Sequence, residues 1–420
     1  MSGSDQTAPS GSDQTTPNGD RPEAPPAPPL ELRDPLPPVV DTPEALAESC
    51  GRIAAGTGPV ALDAERASGY RYSQRAYLVQ IRREGSGTHL VDPIAFDDHS
   101  ALAEAFGDAE WILHAATQDL PCLAEIGLHP VSLFDTELAG RLLNLPRVGL
   151  ASLVEHYLGL SLAKEFSAVD WSTRPLPEPW LVYAALDVEV LVELRNLVDA
   201  DLVARGKREW AAEEFESLLS FTGPPERVDP WRRTSGMHQA RGRRALGLVR
   251  ELWEARDVIA RERDTTPGRI LPDSGLVEIA LAAPASRNEL RGLKAMRGRG
   301  PRRFLDEWQA AVDRAVTMPD SELPHAAPRG DGPPPPRAWA DKNPAAAARL
   351  SRCKAVVTAL AEEHDLPTEN LINPGLIRQI AWTPPETVTE GSVVDALEDL
   401  GARRWQVGLT AAPLADALQP

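Results

Sequence analysis

Cysteine is scarce in this chain, and the histidine spacings that bind zinc are missing. Three cysteines, Cys50, Cys122 and Cys353, stand far apart and form no CxxC pair. That excludes a disulfide framework and a cysteine-built zinc site, and it fits a reducing, cytoplasmic setting. The eight histidines make no HxxxH or HExxH pattern, which argues against a zinc hydrolase. No apolar run is long enough to span a bilayer. The N-terminus lacks the basic and apolar regions of a signal peptide, so no membrane partner is expected. No GxxxxGK[ST] phosphate loop occurs, and Lys207 in Arg205-Gly206-Lys207-Arg208 lacks the rest of one, which disfavours a helicase motor. An excess of basic residues is missing too. The formal net charge is −18, so any polyanion must be met by a local patch.

What is present points to a modular chain. With 420 residues, 42% of them hydrophobic, it can build two or three cores. Its forty prolines gather outside the periodic segments. Residues 1–41 are rich in Ser, Gly, Asp, Thr, Gln and Pro and poor in large apolar side chains, so a disordered tail is expected there. Residues 42–221 alternate short apolar runs with helical patterns. Strands are predicted over 60–63, 77–82, 89–92, 111–114 and 133–135. A Gly-Ser-Gly turn at 85–87 makes the second and third an antiparallel hairpin. Helices are predicted over 101–106, 120–126, 136–143, 150–157, 179–200 and 209–220. The expected fold is an α/β domain with a mixed sheet. Residues 238–318 and 343–420 read as all-α blocks, joined by a Pro-rich, extended linker over 319–342. The two blocks share a pattern. Ala260-Arg261-Glu262-Arg263-Asp264 precedes Ile270-Leu271-Pro272 in the first; Ala361-Glu362-Glu363-His364-Asp365 precedes Leu371-Ile372-Asn373-Pro374 in the second. This reads as one helical unit used twice, at a spacing too long for a solenoid.

The chemistry-bearing residues fall in three blocks. Asp63 and Glu65 stand at i and i+2 of a strand, on one face. Side by side they repel unless a cation lies between them; a solvent-facing acidic pair is the plainer alternative. Asp119 sits at the start of a predicted helix, where an N-cap role explains it as well. Tyr183 and Asp187 are four apart on a helix and share a face, as packing of an amphipathic core helix would also require. Carboxylates are hard ligands suited to Mg²⁺ or Mn²⁺, and the set suggests two-metal cleavage of a phosphodiester. Basic residues cluster at Arg291, Lys294, Arg297, Arg299, Arg302 and Arg303, and again at Arg232, Arg233, Arg241, Arg243 and Arg244. Each cluster reads as a nucleic-acid contact or as a solvated surface.

The order of these blocks resembles the DEDD superfamily of 3′–5′ exonucleases, in its tyrosine-bearing branch. The first motif is Leu62-Asp63-Ala64-Glu65 with Tyr77-Leu78-Val79-Gln80-Ile81. The second is His114-Ala115-Ala116-Thr117-Gln118-Asp119-Leu120, and the third Tyr183-Ala184-Ala185-Leu186-Asp187-Val188. Asp170-Trp171-Ser172-Thr173-Arg174-Pro175-Leu176 is similar to the segment before the third motif in the ribonuclease D family. Ser167 and Val169 depart from the Gln and Ser often found there. The two helical blocks resemble HRDC domains, the second more divergent.

The resemblance implies an RNase H-like exonuclease domain at 42–221, an HRDC domain at 238–318 and a second, HRDC-like helical domain at 343–420. It implies catalytic roles for Asp63, Glu65, Asp119, Tyr183 and Asp187. The four acids would bind two Mg²⁺ or Mn²⁺ ions, and Tyr183 would orient the attacking water. The activity implied is that of a cytoplasmic, monomeric 3′–5′ exoribonuclease that releases nucleoside 5′-monophosphates. Its substrates would be tRNA precursors or other structured RNA ends, held by the strip from Arg291 to Arg303. A DNA 3′–5′ exonuclease and a catalytically silent nucleic-acid-binding protein are the alternatives.

Overall fold

A computed structural model describes residues 27–163, 165–325 and 332–419. Six strands form one sheet: β1 (Val39–Val40), β2 (Thr57–Arg66), β3 (Ala76–Glu84), β4 (Gly87–Val91), β5 (Trp111–Leu113) and β6 (Leu133–Asp135). Their spatial order is β1-β4-β3-β2-β5-β6. β2, β3 and β4 pair antiparallel, while β1 joins β4, β5 joins β2 and β6 joins β5 in parallel. The mixture has a local cause. Gly85 and Gly87 adopt φ of 81° and 77° and close the β3–β4 hairpin, whereas β5 and β6 are reached through helices.

Alternation along β2 decides what each face carries. Val60, Leu62 and Ala64 enter a core that also holds residues of α1 (Pro43–Ala55) and α2 (Ser100–Phe106). Ala61 joins the core of the opposite face, where α6 (Glu178–Glu189) and α7 (Leu191–Ala204) pack. The helix expected over 179–200 is thus two helices, broken at Val190 (φ −118°, ψ 7°). The break lets α6 lie across β2, β3 and β4. It turns α7 toward β5 and toward α4 (Thr136–Leu142) and α5 (Leu150–Leu158). No Pro or Gly marks it, so the apolar periodicity runs straight through.

The expected tail is too long at its C-terminal end. Leu30 is buried and its N–H donates to the Ser161 carbonyl (2.8 Å), while Val39 and Val40 pair with Leu90 and Val91. Four of the few apolar residues of this Pro-rich stretch, Leu30, Leu32, Leu36 and Val40, find a core. Residues 1–26 lie outside the described residues.

Two helical units follow α8 (Arg208–Leu218). The first comprises α9 (Arg243–Glu262), α10 (Pro267–Ile270), α11 (Asp273–Ala282), α12 (Arg287–Gly292), α13 (Arg299–Arg302) and α14 (Leu305–Thr317), closed around Leu252, Ile279, Met296 and Trp308. The second comprises α15 (Trp339–Lys342), α16 (Pro344–Glu363), α17 (Thr368–Leu371), α18 (Pro374–Trp382), α19 (Glu390–Asp399) and α20 (Arg404–Leu418). Asp264 and Asp365 follow the long helix of each unit with φ of 42° and 50°. The second unit shares a core with the sheet domain, and Trp405 stacks on Trp210 of α8 at 5.0 Å. The extended linker expected over 319–342 is anchored at both ends. Leu323 lies against Gly247, and Trp339, only 1% exposed, packs on Trp382. Prolines fix φ but do not keep a neighbouring apolar side chain out of a core. Residues 326–331 lie outside the described residues. Among the described residues no helix is long and apolar enough to cross a membrane.

Candidate active site

Asp63 and Glu65 project from one face of β2, and α6 crosses that face carrying Tyr183 and Asp187 one turn apart. Ligand oxygens of Asp63, Glu65 and Asp187 lie within 4.8 Å of one another. With Asp119 and Tyr183 they line a cleft of about 660 Å³. A larger cavity of about 1000 Å³ lies between residues 32–38 and the β3–β4 hairpin. Its arginines are already engaged, Arg82 by Glu189 at 3.0 Å, Arg33 by Glu193 at 2.6 Å, and Arg52 and Arg83 by backbone carbonyls, so the smaller cleft is the chemical one.

Local structure explains how Asp119 reaches the cleft. It precedes α3 (Leu120–Glu125) yet makes no side-chain capping bond, so the N-cap alternative falls. The turn before it places Ala115 at φ 60°. Asp135 holds that turn: its carboxylate accepts from the N–H of Ala115 (3.1 Å) and Ala116 (2.9 Å), and caps α4 through Glu137 (2.8 Å) and Leu138 (3.1 Å). His114, read most simply as a strand end, lines the cleft, with its Nδ1 2.9 Å from the Thr136 hydroxyl. The segment before α6 is a brace. Trp171 is buried against Ala184 and Ala185. Arg174 grips Asp92 at 2.6 and 2.8 Å and donates to the Tyr77 carbonyl at 2.7 Å. Ser167 and Val169 line the cleft.

Burial, then mutual repulsion, governs the electrostatics. Desolvation, followed by the charges of Asp63, Asp187 and Asp119, pushes Glu65 up to about 10. Asp63 is raised by burial. Asp119 and Asp187 rise well above the carboxylate range, by burial first and then by the charge of Asp63. Burial, followed by the charges of Asp187, Glu65 and Asp63, lifts the pKa of the Tyr183 hydroxyl above the usual tyrosine value. Arg66 opposes the shifts at Asp63, Glu65 and Asp119. One guanidinium against four carboxylates leaves an excess of negative charge that fits bound divalent cations. A donor set made of carboxylate oxygens fits Mg²⁺ or Mn²⁺.

The rim that follows Glu65 is held by the first helical unit. Thr266 N–H donates to the Tyr70 carbonyl (3.0 Å), and Arg269 Nε to the Gly69 carbonyl (3.0 Å). The Ser73 N–H donates to Asp264 (2.8 Å), and the Tyr72 hydroxyl to Asp257 (3.0 Å). Arg291, Lys294, Arg297, Arg299, Arg302 and Arg303 are all exposed and lie outside the cleft. They sit around α13, which packs on α10, the helix bearing Arg269. The other arginine cluster is largely structural. Arg232 pairs with Asp229 at 2.7 Å, Arg243 donates to the Leu323 carbonyl, and Arg244 to the carbonyls of Ala315 and Met318.

Known families agree with this geometry. A 3′–5′ exonuclease family matches residues 37–202, the HRDC domain family matches 245–312, and a family described as a 3′ to 5′ exonuclease C-terminal domain matches 332–418. Fold and site together define a hydrolytic 3′–5′ exonuclease with an HRDC appendage, a class that uses divalent metals. Ribonuclease D of Jannaschia sp. (strain CCS1) is 30% identical over 303 residues, which cover 69% of this chain and 77% of that protein. The chain belongs to the ribonuclease D family, the 3′–5′ exoribonucleases. Two crystal structures are similar over nearly their whole length. A protein from Bifidobacterium adolescentis is 38% identical with a TM-score of 0.86, covering 93% of this chain and 99% of its own. Escherichia coli RNase D, described as an exoribonuclease involved in structured RNA processing, is 28% identical with a TM-score of 0.67, covering 91% and 98%.

Proposed function

We propose that the chain acts as a monomer that trims structured RNA, tRNA precursors among them, one nucleotide at a time from a free 3′ end. Asp63, Glu65, Asp119 and Asp187 would hold two divalent cations, Mg²⁺ or Mn²⁺. When bound, the ions supply activation of a water and charge stabilisation for the departing 3′ oxygen. Tyr183 orients that water and does not deprotonate it. Its pKa lies above the ordinary value of about 10, so it keeps its proton at neutral pH. Water adds to phosphorus, the P–O3′ bond breaks, and the products are a nucleoside 5′-monophosphate and an RNA with a new 3′ hydroxyl. The observation that carries this reading is the meeting of carboxylates from β2 and α6 within 4.8 Å. The exposed strip around α13, packed next to the helix whose Arg269 holds Gly69 of the cleft, would hold the body of the RNA.

The test is release of 5′-monophosphates from a 3′-extended tRNA, with single-stranded DNA alongside. Asp63→Asn is expected to lower the rate at least about 100-fold while the protein stays folded. A rate within threefold of wild type would remove Asp63 from the reaction, and faster cleavage of the DNA would reassign the substrate.

A further inference from the structure

We propose that Arg66 binds the scissile phosphate, the one that leaves as the 5′-phosphate of the released nucleotide. This deepens the exonuclease reading and rests on it. Arg66 ends β2, directly after Glu65, where the pairing with β3 slips register. An irregularity of this kind re-aims a side chain out of strict alternation. Alternation would send Arg66 to the face opposite Glu65; instead it lines the cleft with Asp63, Glu65 and Asp119. Among the described lining residues it is the one arginine or lysine. It is half-buried, and among the described residues its side chain has no hydrogen-bond or salt-bridge partner. Its charge nevertheless acts on Asp63, Glu65 and Asp119. Neighbouring arginines are engaged: Arg71 with the Ser172 hydroxyl, Arg174 with Asp92, and Arg269 with the Gly69 carbonyl.

A charge argument says what such a guanidinium is for. Four ionised carboxylates and two divalent cations cancel. With that balance, a further fixed positive charge tips the cleft in favour of an entering phosphate. Arg66 supplies it, and its planar fork can take two phosphate oxygens at once. The exposed strip around α13 lies outside the cleft and serves the RNA body.

The test is calorimetric binding of AMP and of adenosine to the full chain with Mg²⁺, comparing wild type with Arg66→Ala, Arg66→Gln and Arg66→Lys. The two ligands differ by the 5′-phosphate. Arg66→Ala and Arg66→Gln are expected to weaken AMP by about 10–100-fold and leave adenosine unchanged, with Arg66→Lys recovering part of the loss. The kcat/KM for a 3′-extended RNA should fall in the same order. Unchanged AMP affinity, or equal weakening of AMP and adenosine, would overturn the role. Three variants preserve the comparison where one of them fails to fold. A wild-type protein that bound AMP yet released no nucleoside 5′-monophosphate from RNA would instead overturn the exonuclease reading underneath.

Discussion

Glu65 concentrates the tension in this site. Its carboxyl titrates near 4.5 when solvated and is pushed up to about 10 in the fold, by burial and by Asp63, Asp187 and Asp119. Between those values the folded, metal-free protein binds more protons than the unfolded chain, so stability falls as pH rises through the window. A bound cation reverses the preference: the carboxylates ionise and release protons. With a chelator present, the unfolding midpoint is therefore expected to drop between about pH 5 and pH 9, and saturating Mg²⁺ should flatten the profile. Glu65→Gln, neutral throughout, should remove part of the metal-free slope, the raised carboxyls of Asp63, Asp119 and Asp187 supplying the rest. A metal-free profile as flat as the Mg²⁺ one would show that Glu65 is ionised without a cation. The residues themselves advertised part of this. Asp63 and Glu65 at i and i+2 were legible because a strand puts them on one face. Asp119 was ambiguous between cap and cleft until its unused capping position was seen. Arg66 carried no signal, because a single arginine after a strand has no periodicity and its aim depends on a register slip against β3.

At the scale of elements, the residues around α13 carry a test of their own. Arg297, Arg299 and Arg302 are exposed on a short helical segment next to α10. Each phosphate contact contributes about 0.7 to the slope of log affinity against log salt for single-stranded nucleic acid. Replacing all three with Glu should weaken RNA binding and flatten that slope by about 2; filter binding across a salt series measures it, and an unchanged slope would mark the strip as solvated surface. Most elements were readable from pattern. β6 and α5 follow from short apolar runs and from helical spacing bounded by glycine. The break at Val190 was not readable, because it answers to two packing surfaces, the sheet under α6 and the helices beside α7, and not to a local breaker. The segment 27–41 was misread for a related reason: its composition resembles a tail, while its few leucines and valines are placed by partners distant in sequence.

At the scale of the molecule, the two helical units use equivalent positions to grip the sheet domain. Asp264, after the long helix of the first unit, accepts from the Ser73 N–H at 2.8 Å and pairs with Arg75 at 3.7 Å, on the stretch leading away from Glu65. Asp365, after the long helix of the second, accepts from Asn144 at 2.7 Å and pairs with Arg205 at 3.4 Å, while its carbonyl accepts from Lys207 at 2.6 Å. The grips have different consequences because of what lies beneath them. Residues 68 and 69, just ahead of the Asp264 grip, line the cleft, whereas Asn144, Arg205 and Lys207 do not. Asp264→Ala should therefore loosen the cleft rim and lower kcat by about 10-fold even on a dinucleotide, since small misplacements of positioning groups are costly. Asp365→Ala should lower the unfolding midpoint and leave dinucleotide kcat near wild type. Single-turnover rates on the dinucleotide, read beside thermal melts of both variants, decide the matter. Equal losses of kcat would mean that the first unit steadies the whole protein without shaping the rim. A loss confined to Asp264→Ala would mean that the HRDC unit helps set the catalytic geometry.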